Sequence, residues 1–482
     1  MKTKLFINAV SAVAILFASV QLSKAMGNAT NTENMAEKAT SAPAAQSSGT
    51  IYYVNAATGS NRNDGSSPEK AIKDLQKAID SAAEGATIRI AEGNYLGKLD
   101  QGFVEIKKYV SLEGGWNATF TERNPAKYIT SIRPSEQQCG TSGSHASLEI
   151  YVRGKRTQTL IIDGIAFDKG LYNRYCAYNP KDSRTGSPEG CETGRMLIEG
   201  ENPAGAKVGG TPIGRQLLRG EVEGNFIVRN CTFVNGYHFA IEMGCIAGHF
   251  DFYNNVFVAN RMSACAVRGM SADQNLCTFD FHDNTVLFTW CRTKVQESMG
   301  VGFRFMTGLK TVNVNNNIFG CSNLGAVERT FFDSNAKREA ERVTNVTNNI
   351  FFMNRNNMTE GAADLVLPSG GGKWLFLAAS QIEDAEQIKE YEGNKEMQAD
   401  ENFIKAIDAA YLKGYMSLNI NSSQSYDANS AANQVNRMFG MNQQGTEIVR
   451  ASMYANRYPF KKAFDLFGAV KGHGAQLPTQ GK

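Results

Sequence analysis

The sequence predicts an all-β fold: a parallel β-helix solenoid with a short N-terminal capping helix and a partly helical C-terminal cap. Three observations carry that expectation. Six segments share one pattern: IIDGIAF (161–167), IVRNCTF (227–233), DFYNNVF (251–257), DFHDNTV (280–286), NVNNNIF (313–319) and NVTNNIF (345–351). Each sets an apolar residue, an outward residue and an Asn-rich pair before a final apolar residue. Those final residues are Phe167, Phe233, Phe257, Val286, Phe319 and Phe351. Their spacings of 66, 24, 29, 33 and 32 fit solenoid turns, the first with large insertions. No leucine consensus recurs, which excludes leucine-rich repeats.

The elements follow in chain order. The first 25 residues read as an export signal: Lys2 and Lys4 precede an apolar stretch that ends at Ser23-Lys24-Ala25. Residues 26–49 are small and polar, a linker. Residues 50–370 form the β-helix with its N-terminal cap. Within that cap Ile51-Tyr52-Tyr53-Val54 is a strand, and 71–83 is a helix with Ile72, Leu75, Ile79 and Ala82 on one face. In each repeat, short strands meet at a tight turn over the Asn pair, because Asn tolerates left-handed backbone. Stacked repeats bury one column of Val228, Phe252, Phe281, Val314 and Val346 beside the Phe column. The asparagines at 230, 254, 316 and 348, with Asp283 between, form a ladder along one edge. Residues 371–482 lose the repeat. Helical segments at 378–391 and 403–415 and an amphipathic tail from 458 close the C-terminal edge, which would otherwise invite aggregation.

Charge narrows the function classes. The chain has 50 Lys and Arg against 47 Asp and Glu. Removing the signal, with its three lysines, leaves a balanced mature chain, which argues against nucleic acid as a partner. No later run is long enough for a membrane span. Nine cysteines is an odd count, and no C-x-x-C occurs, so a structural zinc finger is not indicated. Cys176 and Cys191 are placed to staple one polar segment; Cys245, Cys265 and Cys277 read as small buried apolar residues.

The repeat with its Asn ladder resembles the right-handed parallel β-helix of the pectin-lyase-like superfamily. So do Gly59, Asn63-Asp64-Gly65, Pro68 and Gln76-Lys77-Ala78, then Glu92-Gly93-Asn94-Tyr95 and Leu112-Glu113-Gly114-Gly115-Trp116. The resemblance spans roughly residues 50–370. It implies an exported, bacterial-type protein located in the periplasm, at the cell surface or outside the cell. It also implies a substrate cleft lined by the strand that follows the Phe-column strand.

That strand aligns as MLIEG (196–200), FAIEMG (239–244), CAVRGM (265–270), GFRFM (302–306) and AVERT (326–330). Side chains alternate along a strand. Ile198, Ile241, Val267, Phe303 and Val327 therefore point inward, and Glu199, Glu242, Arg268, Arg304 and Glu328 form one outward row. Insertions at 168–194 and 200–224 wall the cleft. A third, from 290 to 300, brings Arg292 and Lys294 beside Arg304, with Trp290 as a stacking platform for a sugar ring.

Three functions compete for this row. One is β-elimination from an acidic, uronic-acid polysaccharide. There Arg268 and Arg304 neutralise the carboxylate and Lys294 or an arginine is the base, while Glu199, Glu242, Glu328, Arg292 and Trp290 bind substrate. Lyases of the resembled superfamily use basic residues in this way, often with calcium. The second is non-catalytic binding of a glycan or partner at the cell envelope, with the row serving as a network of ion pairs. The third is glycoside hydrolysis by the adjacent pair Glu199 and Glu242, since Glu242 and Glu328 stand roughly 14 Å apart. Separately, Asp251 and Asp280 stack one coil apart, with Tyr253 and His282 two residues on and Asn313 and Asn345 continuing the row. Their oxygens suit calcium. The expected state is a monomer.

Overall fold

The computed structural model describes residues 49–100, 102–135, 145–168, 216–236, 239–289, 300–322, 324–354, 362–397, 400–408, 411 and 458–478. The segment 1–25 read as a signal and nearly all of the segment 26–49 read as a linker lie outside them, as do Cys176 and Cys191. The fold is a parallel β-helix. Each coil runs through three faces: a charged strand on face I, a strand on face II, and a strand of three or four residues on face III. Face III stacks Gly93–Tyr95, Thr130–Ile132, Ile165–Asp168, Thr232–Val234, Val256–Val258, Thr285–Leu287, Ile318–Gly320 and Ile350–Phe352 in parallel register. Among the described residues no helix is long and apolar enough to cross a membrane.

Both apolar columns stand in register. Val228, Phe252, Phe281, Val314 and Val346 are successive neighbours on face II. On face III the rings of Phe167, Phe233 and Phe257 stack with centroids 5.0 and 4.8 Å apart. These side chains are fully buried. Each ring shields its neighbour, so the core exists only through stacking.

The Asn pairs make two ladders, not one. The first residue of each pair turns the chain: Asn230, Asn254, Asp283, Asn316 and Asn348 all have φ of 53° to 55°. The second residue is the buried rung. Asn255, Asn284, Asn317 and Asn349 are 0 % exposed. Each Nδ2 donates to the Oδ1 of the next, at 3.0, 3.1 and 3.0 Å, and the last reaches Asn394 at 3.1 Å. Each also donates to a carbonyl of the preceding coil (Val228, Phe252, Phe281 and Val314). A corner turn would strand these backbone groups in the core, and the amides satisfy them.

The N-terminal helix is shorter than its periodicity suggests. It spans Leu75–Ser81 because the Asp74 side chain accepts from Lys77 N–H and fixes the start. Upstream, Ile72 instead bridges Val54 as extended chain. Gln76 covers the first charged strand, accepting from Glu105 N–H (2.8 Å) and donating to Glu105 O (3.1 Å).

At the far end, Trp374–Leu377 pairs antiparallel with Leu365–Pro368 and ends the parallel stacking on face I. The segment 378–391 is not a continuous helix; only Ala379–Asp384 is helical, as a 3-10 turn. An α-helix at Glu401–Ala406 follows, capped by Asp400, where the spacing places one over 403–415. The tail departs from its expected place at the C-terminal edge. Residues 458–478 run back along face III. Tyr458 exchanges two hydrogen bonds with the Asn235 amide (2.7 and 3.0 Å). Further along, Gln476 N–H donates to Asn254 Oδ1 (2.6 Å), and Gly474 N–H donates to Asn316 O. The outer Asn ladder is therefore a docking strip for the tail.

Candidate functional site

Face I is the sheet the sequence assigns to the cleft. Its strands include Val104–Ile106, Leu148–Val152, Leu218–Glu223, the first half of Phe239–Tyr253, Ser263–Gly269, Val301–Phe305 and Gly325–Arg329. Register sets one outward row of Glu105, Glu149, Arg219, Glu242, Ala266, Arg304 and Glu328. A second row, two residues further along the strands, contains Tyr151, Glu221, Gly244 and Arg268.

Two corrections follow. Arg268 does not stand between Glu242 and Arg304; Ala266 does. Alternation fixes which face a side chain takes, but a slip of two residues preserves that parity and moves the residue to another row. Val267 is inward as expected, yet pairs with Met243 and Phe305 rather than with Ile241. The strand beside Glu242 is also not 196–200. Leu218–Glu223, inside the stretch taken as an insertion, pairs on both sides and puts Arg219 next to Glu242. Its alternation, Leu218-Arg219-Gly220-Glu221-Val222, was a readable strand signal.

Arg304 and Glu328 are register neighbours as expected, but their side chains are only 3 and 4 % exposed and they pair with each other. Beside them Arg329 is equally buried against Glu339. Burial, with the charge of Arg329 nearby, lowers the pKa of Arg342 to about 10. This end of face I is interior. Glu199, Trp290, Arg292 and Lys294 lie outside the described residues.

The other end is open. Tyr151 is 39 % exposed. Burial of its lower edge, with Glu149, Glu221 and Glu242 nearby, raises its phenol pKa against the pull of Arg219. Arg268 reaches to 4.0 Å from Glu221 across the strand of Gly244, where the absent side chain leaves room for the Met270 thioether, and Arg153 pairs with the same carboxylate. Glu105 pairs with Lys98 and, at 3.3 Å, with Lys107; the Lys98 hydrogen bond leads in lowering its pKa. His145 stands 3.6 Å from Glu149, and Gln216 donates to Glu242. The result is a half-open strip of carboxylates, guanidiniums and one phenol ring.

On face II, Asp251 and Asp280 are neighbours, with Asn313 and Asn345 continuing their row as the spacing implies. Tyr253 and His282 stack at 5.0 Å. His282 sits 3.0 Å from Asp251 Oδ1 and 2.6 Å from Asp283 Oδ2. Burial alone would lower its pKa; the two carboxylates outweigh that and raise it to about 9. His249, absent from the sequence-derived site, joins Asp251 and Asp280. Cys245, Cys265 and Cys277 are buried as the sequence implies, and so are Cys231 and Cys321.

No protein-family profile and no curated protein matches the chain. Among solved structures it is similar to the PL6 family alginate lyase AlyGC, with 14 % identity and a TM-score of 0.31. That match covers 64 % of this chain and 32 % of the other, so the chain spans about a third of the lyase's length. It is also similar to a pectin methylesterase mutant in complex with a hexasaccharide, with 12 % identity, a TM-score of 0.26 and coverage of 72 and 89 %. Similarity at this level carries no chemistry across.

Proposed function

We propose that this is an exported, monomeric protein that holds an extended polysaccharide along the open end of face I. The observation that supports this is the exposed Tyr151 ring set among Glu149, Arg219, Glu221 and Glu242, with Arg268 beyond. Sugars need an apolar platform for a ring face together with donors and acceptors for hydroxyls. This strip offers one such platform, Tyr151, and polar groups repeated at the coil spacing of about 4.8 Å. That spacing approaches the length of one sugar in an extended chain.

Lyase chemistry is a second reading, favoured by the outward guanidinium of Arg268 on this face. In it Arg268 neutralises a uronate carboxylate and Lys294 supplies the base. Burial of the Arg304–Glu328 pair removes Arg304 from that role. The hydrolase reading loses its paired carboxylate, because the register neighbours of Glu242 are Arg219 and Ala266.

The test presents the full mature chain with neutral and uronic-acid polymers, with and without calcium, and follows both binding and ultraviolet absorbance of unsaturated products. Binding to at least one polymer is expected. A rise in absorbance selects the lyase; no binding to any polymer overturns the proposal.

A further inference from the structure

Face II carries a cluster that the glycan reading does not use. His249 and Asp251 project from the strand Phe239–Tyr253, and Asp280 from Cys277–His282 in the next coil. Asp251 and Asp280 stand directly opposite each other. Like charges in that position repel; His282 beside Asp251 and Asn313 beside Asp280 offset part of that repulsion, and a cation between the carboxylates would offset more. One ligand atom from each of the three residues lies within 4.8 Å of the others, and His249 Nε2 is 3.4 Å from Asp280 Oδ2. Donors bound at about 2.1 Å around a tetrahedral metal lie about 3.4 Å apart.

Each group is also braced on its other side. The Thr278 hydroxyl is 2.8 Å from His249 Nδ1, which leaves Nε2 toward Asp280. Asn313 Nδ2 donates to Asp280 Oδ1 at 2.6 Å. His282 Nε2 meets Asp251 Oδ1, and Asp283 holds the far nitrogen of His282. Outer partners of this kind orient metal ligands and tune their affinity.

We propose that His249, Asp251 and Asp280 bind a divalent transition metal of the zinc class, joining two coils on face II. The imidazole decides the class: calcium takes oxygen donors, whereas nitrogen with two carboxylates suits zinc or cobalt. The calcium reading of Asp251 and Asp280 rested on their carboxylates with the amide oxygens of Asn313 and Asn345, and did not include His249. Three ligands on a half-exposed surface leave an outward position for water or an oxyanion.

The test titrates tag-free, metal-stripped full chain with cobalt, reads the visible absorption band, and displaces cobalt with zinc; calorimetry compares zinc with calcium. One site is expected, with zinc preferred over calcium. His249→Gln and Asp280→Asn should each weaken zinc at least about 10-fold, and the isosteric Thr278→Val about 10-fold. Circular dichroism checks folding; if His249→Gln does not fold, Thr278→Val decides. No cobalt band, a preference for calcium, or zinc affinity unchanged in the folded variants overturns the proposal.

Discussion

The Asn317 side chain donates to Phe281 O and to Asn349 Oδ1, and accepts from the backbone and side-chain N–H groups of Asn284. Removing it leaves a carbonyl and an amide buried without partners. Asn317→Ala should therefore cost on the order of 3 kcal/mol in urea unfolding. The Arg304–Glu328 pair makes a parallel case. Arg304→Ala leaves Glu328 as a buried charge and should cost about 3–5 kcal/mol, measured in the same way. Lost function in that variant would report folding, not a missing ligand to substrate. The role of Asn317 was half legible: the repeated pair announces a turn, but which member turns outward and which fills the corner depends on the backbone. Arg304 was legible as a neighbour of Glu328 and illegible as buried, because local alternation carries no signal for what lies over a sheet.

The tail and the C-terminal cap are the elements that the repeat pattern did not place. Loss of the repeat after 370 marks where the solenoid stops, but it says nothing about where the following chain goes. The tail's destination is written in groups left over elsewhere, the Asn235, Asn254 and Asn316 amides of face III. Tyr458 is fully buried there, and Tyr458→Ala should cost about 3–5 kcal/mol by chemical denaturation. The cap is tied by Asp364, which accepts from Ala379 N–H (2.9 Å) and from Asn354 Nδ2 (3.1 Å). Burial raises its pKa from 3.8 to about 7. Across that interval the folded chain holds a proton that the unfolded chain has released. Stability should fall as pH rises from about 4 to about 7 and level off above. Unfolding free energies across that range should show this slope in the parent and lose it in Asp364→Asn.

At the scale of the molecule, the Phe and Asn repeats made the solenoid, its columns and its Asp251–Asp280 row readable in advance. The functional strip was less readable for a physical reason. A period of two specifies faces, not rows, and a coil with long insertions offers more than one candidate strand. Arg268 kept its face and changed its row, and Arg219 occupies the place given to Glu199. Tyr151 belongs to an earlier coil that the alignment did not reach. Charge is carried on two faces: face I holds ion pairs and a phenol ring, and face II holds the Arg89–Glu113 and Arg229–Asp163 pairs as well as its carboxylates and imidazoles, while face III takes the tail contacts. The central claim is that the open strip of face I holds polysaccharide. The most direct measurement is the affinity of the bound polymer for Tyr151→Ala and Arg219→Ala, with the exposed tail variant Lys461→Ala as reference. Each strip variant should lose about 10-fold, one tenfold step being about 1.4 kcal/mol, while Lys461→Ala keeps the parent affinity. Parent-like affinity in both folded strip variants would contradict the claim.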